Sequence, residues 1–520
     1  MRRGRGTLAL RTLTAVLAVA GASPSSQAAA TQPATARAAT AKATVPTKIL
    51  RAATPRATAA ASRRHPKHGP KPAEVVLPAR ASGPGVQILA APVGLSIEYP
   101  TMAADLGAGP CPAPAFVSAL QALGSPPLQL AGDSQDLTAP PGALSGPQAS
   151  WETATLYKLA PGFWSQLHCL LSATHEPLTV GLNAKTGQPG WAAQMVAGAQ
   201  SAATNGLSFS LGNEPDLYYL PNYSSLSRPA ADEENAAVNA YLEVAATLRQ
   251  AIGSAPVVGP ELALPARWRQ ELPRVIGSLP AQTVGVHLYP LSACATTKAV
   301  TIGGMLSGEA AEAPRRLAWV VADARAAGTP AILSEANSAS CGGVAGVSDS
   351  PASGVWAVRF VLSALLSGFE EVRFHFSGAP YDPFLVSGEQ VLARPLDYAL
   401  TALSQWLPVG ATLRTLRGVQ GLSATSVTVP AGAPAASTPT GQSSGAPAPP
   451  IAPAPGTTTV ILDNRSSRAR AVVVRGARAI HVQTLTPTRA GVLGADLLSP
   501  KDRVALTVPP NSVAAISAGP

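Results

Sequence analysis

The sequence predicts a (β/α)₈ barrel joined to a C-terminal all-β sandwich. Between residues 94 and 407, short apolar runs that end in polar residues alternate eight times with helical patterns. Strands that alternate with helices pair in parallel through right-handed crossovers, and eight such units close into a barrel. Residues 408–520 instead show short strand patterns separated by turn signals, which is typical of a sandwich. A doubly wound open sheet is the alternative, but no GxGxxG turn or P-loop opens any unit.

Residues 1–28 have the features of a secretory signal peptide. Arg2, Arg3 and Arg5 form a positive start, a mostly apolar stretch follows, and small residues up to Ala28 offer a cleavage site. An uncleaved membrane anchor is the alternative, but the apolar stretch is too short for a stable span. The pattern therefore predicts a secreted, extracellular protein with no stable membrane span after signal cleavage.

Residues 29–73 are rich in Ala, Thr, Pro and Arg and have no apolar period, so they predict a disordered basic linker. The net charge of +10 comes from this end of the chain, because residues 1–82 contain 14 Lys or Arg and one acid, Glu74. The rest of the chain is slightly acidic, which argues against a nucleic-acid-binding protein. The linker either associates with an acidic cell wall or is a plain spacer.

The predicted barrel, residues 94–407, has strands whose near-continuous apolarity indicates burial on both faces. The strands are Gly94–Tyr99, Leu128–Gly132, Leu178–Asn183, Leu207–Asn213, Pro256–Glu261, Thr283–Tyr289, Ala331–Asn337 and Glu371–Ser377. The helices are Ala113–Leu123, Thr155–Ser172, Trp191–Thr204, Ala231–Ile252, Ala266–Leu279, Glu309–Ala327, Ala352–Ser367 and Leu396–Trp406.

The predicted sandwich occupies residues 408–520 and is interrupted by residues 430–456. That stretch is rich in Ala, Pro, Ser, Thr and Gly, which predicts a disordered insertion. Strand patterns within residues 74–93 have no partner in the barrel and are expected to join the sandwich. The C-terminal strands are Thr412–Leu416, Ser426–Val429, Thr458–Leu462, Ala471–Val474, His481–Leu485, Val504–Val508 and Val513–Ser517.

Polar side chains follow the apolar runs of seven barrel strands, and in this architecture the C-terminal strand ends face the active site. The candidates are Glu98, Asp133, Asn183, Asn213, Glu214, His287, Tyr289, Glu335, Asn337 and His375. Glu214 and Glu335 end the fourth and seventh strands. Two carboxyls that flank one bond are the usual requirement of glycoside hydrolysis, one protonated to act as an acid and one ionised to attack.

Several of these residues also have ordinary structural interpretations. Glu335 could form a structural ion pair, and Glu98 and Asp133 could cap loops. A single histidine near a strand end, such as His375, is often a core residue with satisfied hydrogen bonds. His287 is the stronger candidate because Tyr289 follows at same-face spacing. Neither histidine has the carboxylate spacing of a metal site.

Five stretches together carry a family resemblance. They are Gly94–Tyr99, Gly132–Asp136, Gly212–Pro215, Val286–Tyr289 and Glu335–Gly343. In this order they make the chain similar to glycoside hydrolase family 79, the β-glucuronidase and heparanase group in the clan of retaining (β/α)₈ glycosidases. The resemblance implies a carbohydrate substrate and a retaining mechanism without metal or organic cofactor.

The resemblance also implies roles for individual residues. Glu214 would be the acid/base and Glu335 the nucleophile. Asn213 would bind the sugar 2-hydroxyl, and Tyr289 would keep Glu335 ionised. Family members that cleave uronides bind the sugar carboxylate after the nucleophile, through a Tyr and adjacent Gly amides.

Two departures from the family pattern bear on uronide specificity. Gly342 and Gly343 are present, but Ser340 occupies the position of the Tyr. Gln129 stands where an Arg is common, and Ala131 replaces a glycine. Neither departure touches the two carboxyls. The alternatives are therefore a retaining glycosidase of other sugar specificity, or a non-catalytic carbohydrate-binding wall protein.

The four cysteines favour disulfides, because an exported chain folds in an oxidising compartment. Three pairings are possible. Cys294 follows the sixth strand and Cys341 the seventh, so adjacent loops favour that pair and leave Cys111 with Cys169. A free catalytic cysteine is the competing interpretation, but no Cys-His-Asn order supports it.

Overall fold

The computed structural model describes residues 71–77, 85–143, 157–218, 233–294, 299–432 and 452–518, which belong to one compact unit. The expected signal peptide lies outside these residues, as do most of the expected basic linker and most of the 430–456 insertion. Within the described ranges, no helix is long and apolar enough to cross a membrane.

A ring of parallel strands forms the centre of the described chain and confirms the predicted barrel. Its eight strands are β3 (Val93–Glu98), β4 (Leu128–Ala131), β7 (Leu178–Leu182), β8 (Leu207–Leu211), β9 (Val257–Val258), β10 (Val284–Leu288), β12 (Ala331–Ala336) and β14 (Val372–Phe376). β3 lies between β4 and β14. Bridges from Val258 to Thr283 and from Leu262 to Val286 close the ring between β9 and β10.

The barrel strands are buried on both faces, and the inside of the barrel is partly polar. All residues of β4, β7, β12 and β14 are buried. Arg373 of β14 donates to Thr179 Oγ1 at 2.9 Å and to Glu371 Oε1 at 2.9 Å, and it also donates to Gln129. A buried cation is tolerated here because each of its neighbours accepts a hydrogen bond.

Helices cover the outside of the barrel, and four of them begin at a proline, whose missing N–H costs nothing in a first turn. The helices are α1 (Tyr99–Leu106), α2 (Pro114–Ala122), α3 (Phe163–Thr174), α4 (Pro189–Ala202), α5 (Glu233–Ile252), α6 (Leu272–Ser278), α7 (Ile302–Met305), α8 (Gly308–Ala311), α9 (Ala318–Ala326), α10 (Pro351–Leu366) and α11 (Pro395–Trp406).

Prolines also explain where the predicted elements are wrong. The helix predicted over Glu309–Ala327 is broken around Pro314, and the helix over Ala266–Leu279 is broken before Pro273. The helix predicted over Thr155–Ser172 begins only at Phe163, eight residues late, because a short strand at Tyr157–Lys158 occupies its predicted start. The strand predicted over Pro256–Glu261 shrinks to β9, because Pro260 has no N–H for a neighbouring strand.

Short strand pairs extend the loops of the barrel. They are β5 (Thr138–Ala139) with β6 (Tyr157–Lys158), β11 (Leu291–Ser292) with β13 (Ala339–Ser340), and the hairpin of β15 (Phe384–Ser387) and β16 (Gln390–Ala393). The pairing of β11 with β13 joins the loops that follow the sixth and seventh barrel strands.

The sandwich contains a seven-stranded and a three-stranded sheet, and two of its strands come from before the barrel, as predicted. Its strands are β1 (Ala73–Val76), β2 (Val86–Gln87), β17 (Thr412–Leu416), β18 (Ser423–Thr428), β19 (Thr458–Asn464), β20 (Arg470–Arg475), β21 (Ala479–Thr486), β22 (Arg489–Leu498), β23 (Arg503–Val508) and β24 (Ser512–Ala518). β1 pairs with β20, and β2 pairs with β17. The sequence did not reveal β22, most of whose residues are exposed.

Candidate active site

Glu214 lies immediately after β8, in a turn that the flanking residues fix. Gly212 has φ +99°, and a Cβ there would lie 2.5 Å from the Tyr218 hydroxyl. Glu214 itself has φ +52°, and its amide donates to the Glu261 carbonyl at 3.0 Å. Pro215 then begins a 3₁₀ turn. The carboxyl group is partly exposed, with 17% of the side-chain surface accessible.

Glu335 is the fifth residue of β12 and is almost fully buried. Its Oε1 accepts from the Tyr289 hydroxyl at 2.7 Å and faces His375 Nδ1 at 2.8 Å. Its Oε2 is buried and has no hydrogen-bond partner among the described residues. One oxygen of this carboxylate is thus held in place, and the other is available for a reaction.

The two carboxyl groups have opposite proton affinities. Burial raises the pKa of Glu214 to about 7, although the hydrogen bond and charge of His287 act against this rise. Burial alone would also raise the pKa of Glu335. The charges of His375 and His287, with the hydrogen bonds from His375 and Tyr289, outweigh it and lower the pKa to about 2. Near neutral pH one group can therefore hold a proton while the other is ionised.

His287 lies between three carboxyl groups. Its Nδ1 is 2.9 Å from Glu214 Oε1 and 3.8 Å from Glu335 Oε1, and its Nε2 is 3.1 Å from Glu261 Oε2. Burial opposes a charged ring, but the three carboxylates raise the pKa of His287 well above its usual value. Both ring nitrogens lie within hydrogen-bond distance of carboxylate oxygens, and these surroundings favour the charged form of the ring.

A second group of neighbouring polar side chains contacts Glu335 through His375 and consists of Glu98, Asp133, Asn213 and His375. Glu98 accepts from the amide of Asp133 at 3.0 Å and faces His375 Nε2 at 3.3 Å. Asn213 Nδ2 lies 3.5 Å from Asp133 Oδ1. Burial raises the pKa of Asp133, and the charges of Glu98 and Glu335 add to this rise.

The two remaining candidate asparagines bind the protein's own loops. Asn183 donates to the Thr138 carbonyl at 3.2 Å and accepts from the Thr186 amide at 2.9 Å. Asn337 donates to the His375 carbonyl at 3.0 Å. Their amide groups therefore already have partners that stabilise the ends of β7 and β12.

The loop after β12 carries Ser340, Gly342 and Gly343. Ser340 Oγ donates to Ser292 Oγ at 3.0 Å, across the short pair of β11 and β13. Gly342 and Gly343 have φ of +78° and +72°, and a Cβ at Gly343 would lie 2.9 Å from the Tyr381 ring. Glycine is required here by both the backbone conformation and the close approach of Tyr381.

Both disulfides join the expected pairs. Cys294 is bonded to Cys341, with Cα atoms 5.3 Å apart, and Cys111 is bonded to Cys169, with Cα atoms 5.5 Å apart. The first bridge holds the loop of Gly342 and Gly343 beside the loop after β10. The second joins the outer layer of helices.

The sequence did not single out two buried carboxyl groups that support the site. Asp136 accepts from the amide of Asn213 at 3.1 Å and from the Tyr218 hydroxyl at 2.6 Å. Glu261 contacts His287, as described above. Both follow strand ends, which was the available signal, but Glu261 follows a strand of only two residues.

An open cleft lies beside Glu214. Its lining among the described residues is Asp133, Asp136, Lys185, Asn213, Glu214, Leu217 and Tyr218. Polar and charged side chains on a concave surface are suited to a hydroxyl-rich ligand.

Glu214, His287 and Glu335 are also close enough to share a cation, with one donor atom from each within 4.8 Å of the others. A metal would need a free lone pair on the imidazole ring. Both ring nitrogens of His287 instead face carboxylate oxygens, so this cluster suits proton chemistry better than metal coordination.

Comparisons with known proteins show the fold. No protein-family model matches the chain, and no curated protein sequence matches it. It is similar to a solved 4-O-α-L-rhamnosyl-β-D-glucuronidase from Fusarium oxysporum 12S, with 17% identity over 84% of this chain and 99% of the other, at a TM-score of 0.60. It is also similar to a GH51 arabinofuranosidase from Xanthomonas axonopodis pv. citri, with 11% identity over 85% and 98% of the chains, at 0.56. A third similar structure is a family 51 α-L-arabinofuranosidase from Bifidobacterium longum. The two chains are 11% identical over 86% of this chain and 99% of the other, at a TM-score of 0.56. The chain therefore has the barrel-and-sandwich fold that these glycosidases share.

Proposed function

We propose that this protein is a retaining β-glycoside hydrolase in which Glu214 is the acid/base and Glu335 the nucleophile. The observation that carries the proposal is the convergence of two carboxyls of opposite proton affinity at the C-terminal face of the barrel. One oxygen of each lies within 4.8 Å of the other. This separation supports retention, which needs carboxyls roughly 5–5.5 Å apart, rather than inversion, which needs about 6.5–9.5 Å.

In the first step, Oε2 of Glu335 attacks the anomeric carbon. Glu214 donates its proton to the leaving glycosidic oxygen, so the C–O bond breaks as the glycosyl-enzyme ester forms. Oε1 of Glu214 faces His287, which leaves Oε2 as the oxygen that carries the proton to the substrate. The leaving group departs as an alcohol, and Glu214 becomes a carboxylate.

In the second step, Glu214 removes a proton from water, and the water oxygen attacks the anomeric carbon. The ester bond breaks, the sugar leaves with its original configuration, and Glu335 becomes a carboxylate again. His287 stabilises the ionised form of Glu214 between the two steps. Tyr289 and His375 stabilise Glu335 whenever it is charged.

We further propose a β-glucuronidase-like specificity. The structural neighbour from Fusarium oxysporum is by name a β-D-glucuronidase, and Lys185 in the cleft carries a charge that suits a uronic acid. Gly342 and Gly343 can present backbone amides to a carboxylate. Ser340, which is bonded to Ser292, supplies no phenol at this position, and the arabinofuranosidase neighbours make another sugar the alternative.

The test is hydrolysis of matched aryl β-glucuronide, β-glucoside and α-L-arabinofuranoside. We expect turnover of the glucuronide, with the β-anomer as the first product seen by proton NMR. Glu335→Gln should abolish turnover while the protein still folds. Retained activity in that variant, or sugar binding without turnover by the wild-type protein, would contradict the assignment.

We also propose that the protein is secreted, because two disulfides require an oxidising compartment and residues 1–28 have the signal-peptide pattern. Association of residues 29–73 with an acidic cell wall belongs to the same proposal.

A further inference from the structure

Glu261 is a buried acid with no part in the two chemical steps. It follows β9 with φ +59°, and 1% of its surface is accessible. Its side chain accepts from Ser334 Oγ and from Gln129 Nε2 at 3.4 Å, and its Oε2 lies 3.1 Å from His287 Nε2. All three neighbours carry groups that can donate to a carboxylate.

Glu261 contacts both sides of the proposed reaction centre. Its backbone carbonyl accepts from the amide of Glu214 at 3.0 Å, and its side chain reaches the same residue through His287. Ser334, which donates to it, directly precedes Glu335 in β12. One residue therefore fixes the backbone of the proposed acid/base and the ring that touches its carboxyl.

The sequence leaves space for this carboxylate. A Cβ at position 285 would lie 2.7 Å from Ser334 Oγ and 2.9 Å from Glu261 Oε1, so the glycine found there leaves room for this hydrogen-bonded pair. Ser334 is completely buried, and its hydroxyl donates a hydrogen bond to Glu261. A buried charge is costly unless each oxygen has donors, and here both oxygens have them.

We propose that Glu261 is a positioning residue that keeps His287 doubly protonated between the carboxylate of Glu261 and the carboxyl group of Glu214, and so controls where Glu214 carries its proton. With His287 donating to Oε1, the proton of Glu214 stays on Oε2, towards the leaving group. The negative charge of Glu261 balances the imidazolium, so the ring stays charged as Glu214 gains and loses its proton.

Other charged and titratable groups face this pair from several elements. His287 is faced by Glu214, Glu335 and Asp216, and Glu261 is also near Tyr241, while Arg373 reaches it through Gln129. Glu261 is the only acid among the described residues that the ring contacts through Nε2. Its removal should therefore affect the Nε2 proton first.

The test is ¹⁵N NMR of selectively labelled histidine rings in the free full-length protein, with His287 assigned by the signal missing from His287→Gln. In the wild type we expect both ring nitrogens to be protonated at pH 7, because the carboxylates around the ring raise its pKa. In Glu261→Gln the ring should lose one proton at a pH lower by about 1 unit or more, since an opposite charge at this distance shifts a pKa by about 1–3 units. Glu261→Asp, which keeps the charge, should restore the wild-type state.

Glu176→Gln is the matched control, because Glu176 is an equally buried acid that contacts Thr174 instead of the site. It should leave the His287 signals unchanged. A neutral His287 in the wild type at pH 7 would overturn the proposal without any variant. Identical titration in Glu261→Gln and the wild type would also overturn it.

An activity measurement depends on the proposed function and separates the two claims. Loss of the imidazolium should raise the proton affinity of Glu214 and move the alkaline limb of kcat/KM to higher pH by about 1 unit. A purely structural role for Glu261 would lower kcat and leave the limb in place. If the NMR result holds in a protein without glycosidase activity, only the proposed function fails.

Discussion

At the residue scale, the local environment gives two chemically identical side chains opposite proton affinities. Glu214 sits at the cleft edge, where burial outweighs one imidazolium contact. Glu335 sits deeper, yet two histidines and a tyrosine hold it ionised. The pair should titrate with coupled values. The site thus resembles other carboxyl pairs whose surroundings separate an acid from a nucleophile.

Tyr289→Phe tests the environment of Glu335. The wild-type kcat/KM should fall on the alkaline side near pH 7 as Glu214 loses its proton. The Tyr289 hydroxyl lowers the pKa of Glu335, so the pKa of Glu335 should rise in this variant. The acidic limb of the pH profile of kcat/KM should therefore move to higher pH. A hydrogen bond to a charged group is worth about 1.5–3 kcal/mol, so kcat should fall by roughly 10- to 100-fold.

The control for this change is Tyr99→Phe, which removes a buried hydroxyl bonded to the Gly181 carbonyl at 2.7 Å. It should lower the free energy of unfolding by about 1 kcal/mol and leave the pH profile in place. pH–rate profiles of both variants on the same aryl glycoside provide the measurement. An acidic limb that does not move in Tyr289→Phe would remove Tyr289 from the proposed site.

The sequence could predict that Glu214 and Glu335 lie at the C-terminal ends of barrel strands, because each ends or follows a long apolar run whose direction in a barrel is known. It could not predict the role of Glu261. That residue acts through its neighbours on β4, β10 and β12, and such contacts exist only once the barrel closes. The hydrogen-bond partners of Asn183 and Asn337 could not be predicted from the sequence for the same reason.

At the element scale, apolar strands were easy to find and exposed or proline-broken elements were not. All eight barrel strands lie where the apolar runs predict them, although β9 is shorter. β22 is long but mostly exposed, so it lacks the apolar pattern of a buried strand. Helices α6 and α9 were predicted too long, because the prolines in these stretches interrupt the backbone hydrogen bonding that the apolar spacing suggested.

The two disulfides give an element-scale prediction with an internal control. They close loops of similar length, with sequence separations of 47 and 58 residues, so loss of either should cost up to about 4 kcal/mol of stability. Only the bridge of Cys294 and Cys341 holds the loop of Gly342 and Gly343. Replacing that pair with serine should raise KM about tenfold, equal to roughly 1.4 kcal/mol of binding.

The serine variant of Cys111 and Cys169 should lose similar stability while its KM stays at the wild-type value. Steady-state kinetics well below the unfolding temperature separate the two effects. Equal changes of KM in both variants would show that the loop after β12 has no special part in substrate binding.

At the scale of the whole molecule, the sandwich and the barrel share strands, helices and charges. β1 and β2 precede the barrel but pair with strands that follow it. Trp406 of α11 donates to Gln483 of β21, and Arg359 of α10 is buried against β19. Because the first described strands complete the last sheets, we expect the barrel and the sandwich to unfold together.

Arg359→Leu tests this coupling. The guanidinium donates to Asp463 Oδ1 at 2.8 Å and to the carbonyls of Asn464 and Leu306 at 3.2 and 3.3 Å. Losing one partner of a buried ion pair costs about 3–5 kcal/mol, and the lower end applies here because Asp463 keeps Arg465 at 2.6 Å. Denaturant unfolding should show a lower midpoint, with kinetic constants unchanged below the transition.

The matched control is Arg478→Leu, which removes the exposed pair with Asp502 inside the sandwich. Both side chains of that pair are mostly accessible, so the loss should stay below about 1 kcal/mol. If Arg359→Leu and Arg478→Leu lower the free energy of unfolding equally, the buried ion pair between α10 and β19 stabilises the protein no more than the exposed pair does. A separate early transition in Arg359→Leu would instead show that this single arginine makes the barrel and the sandwich unfold together.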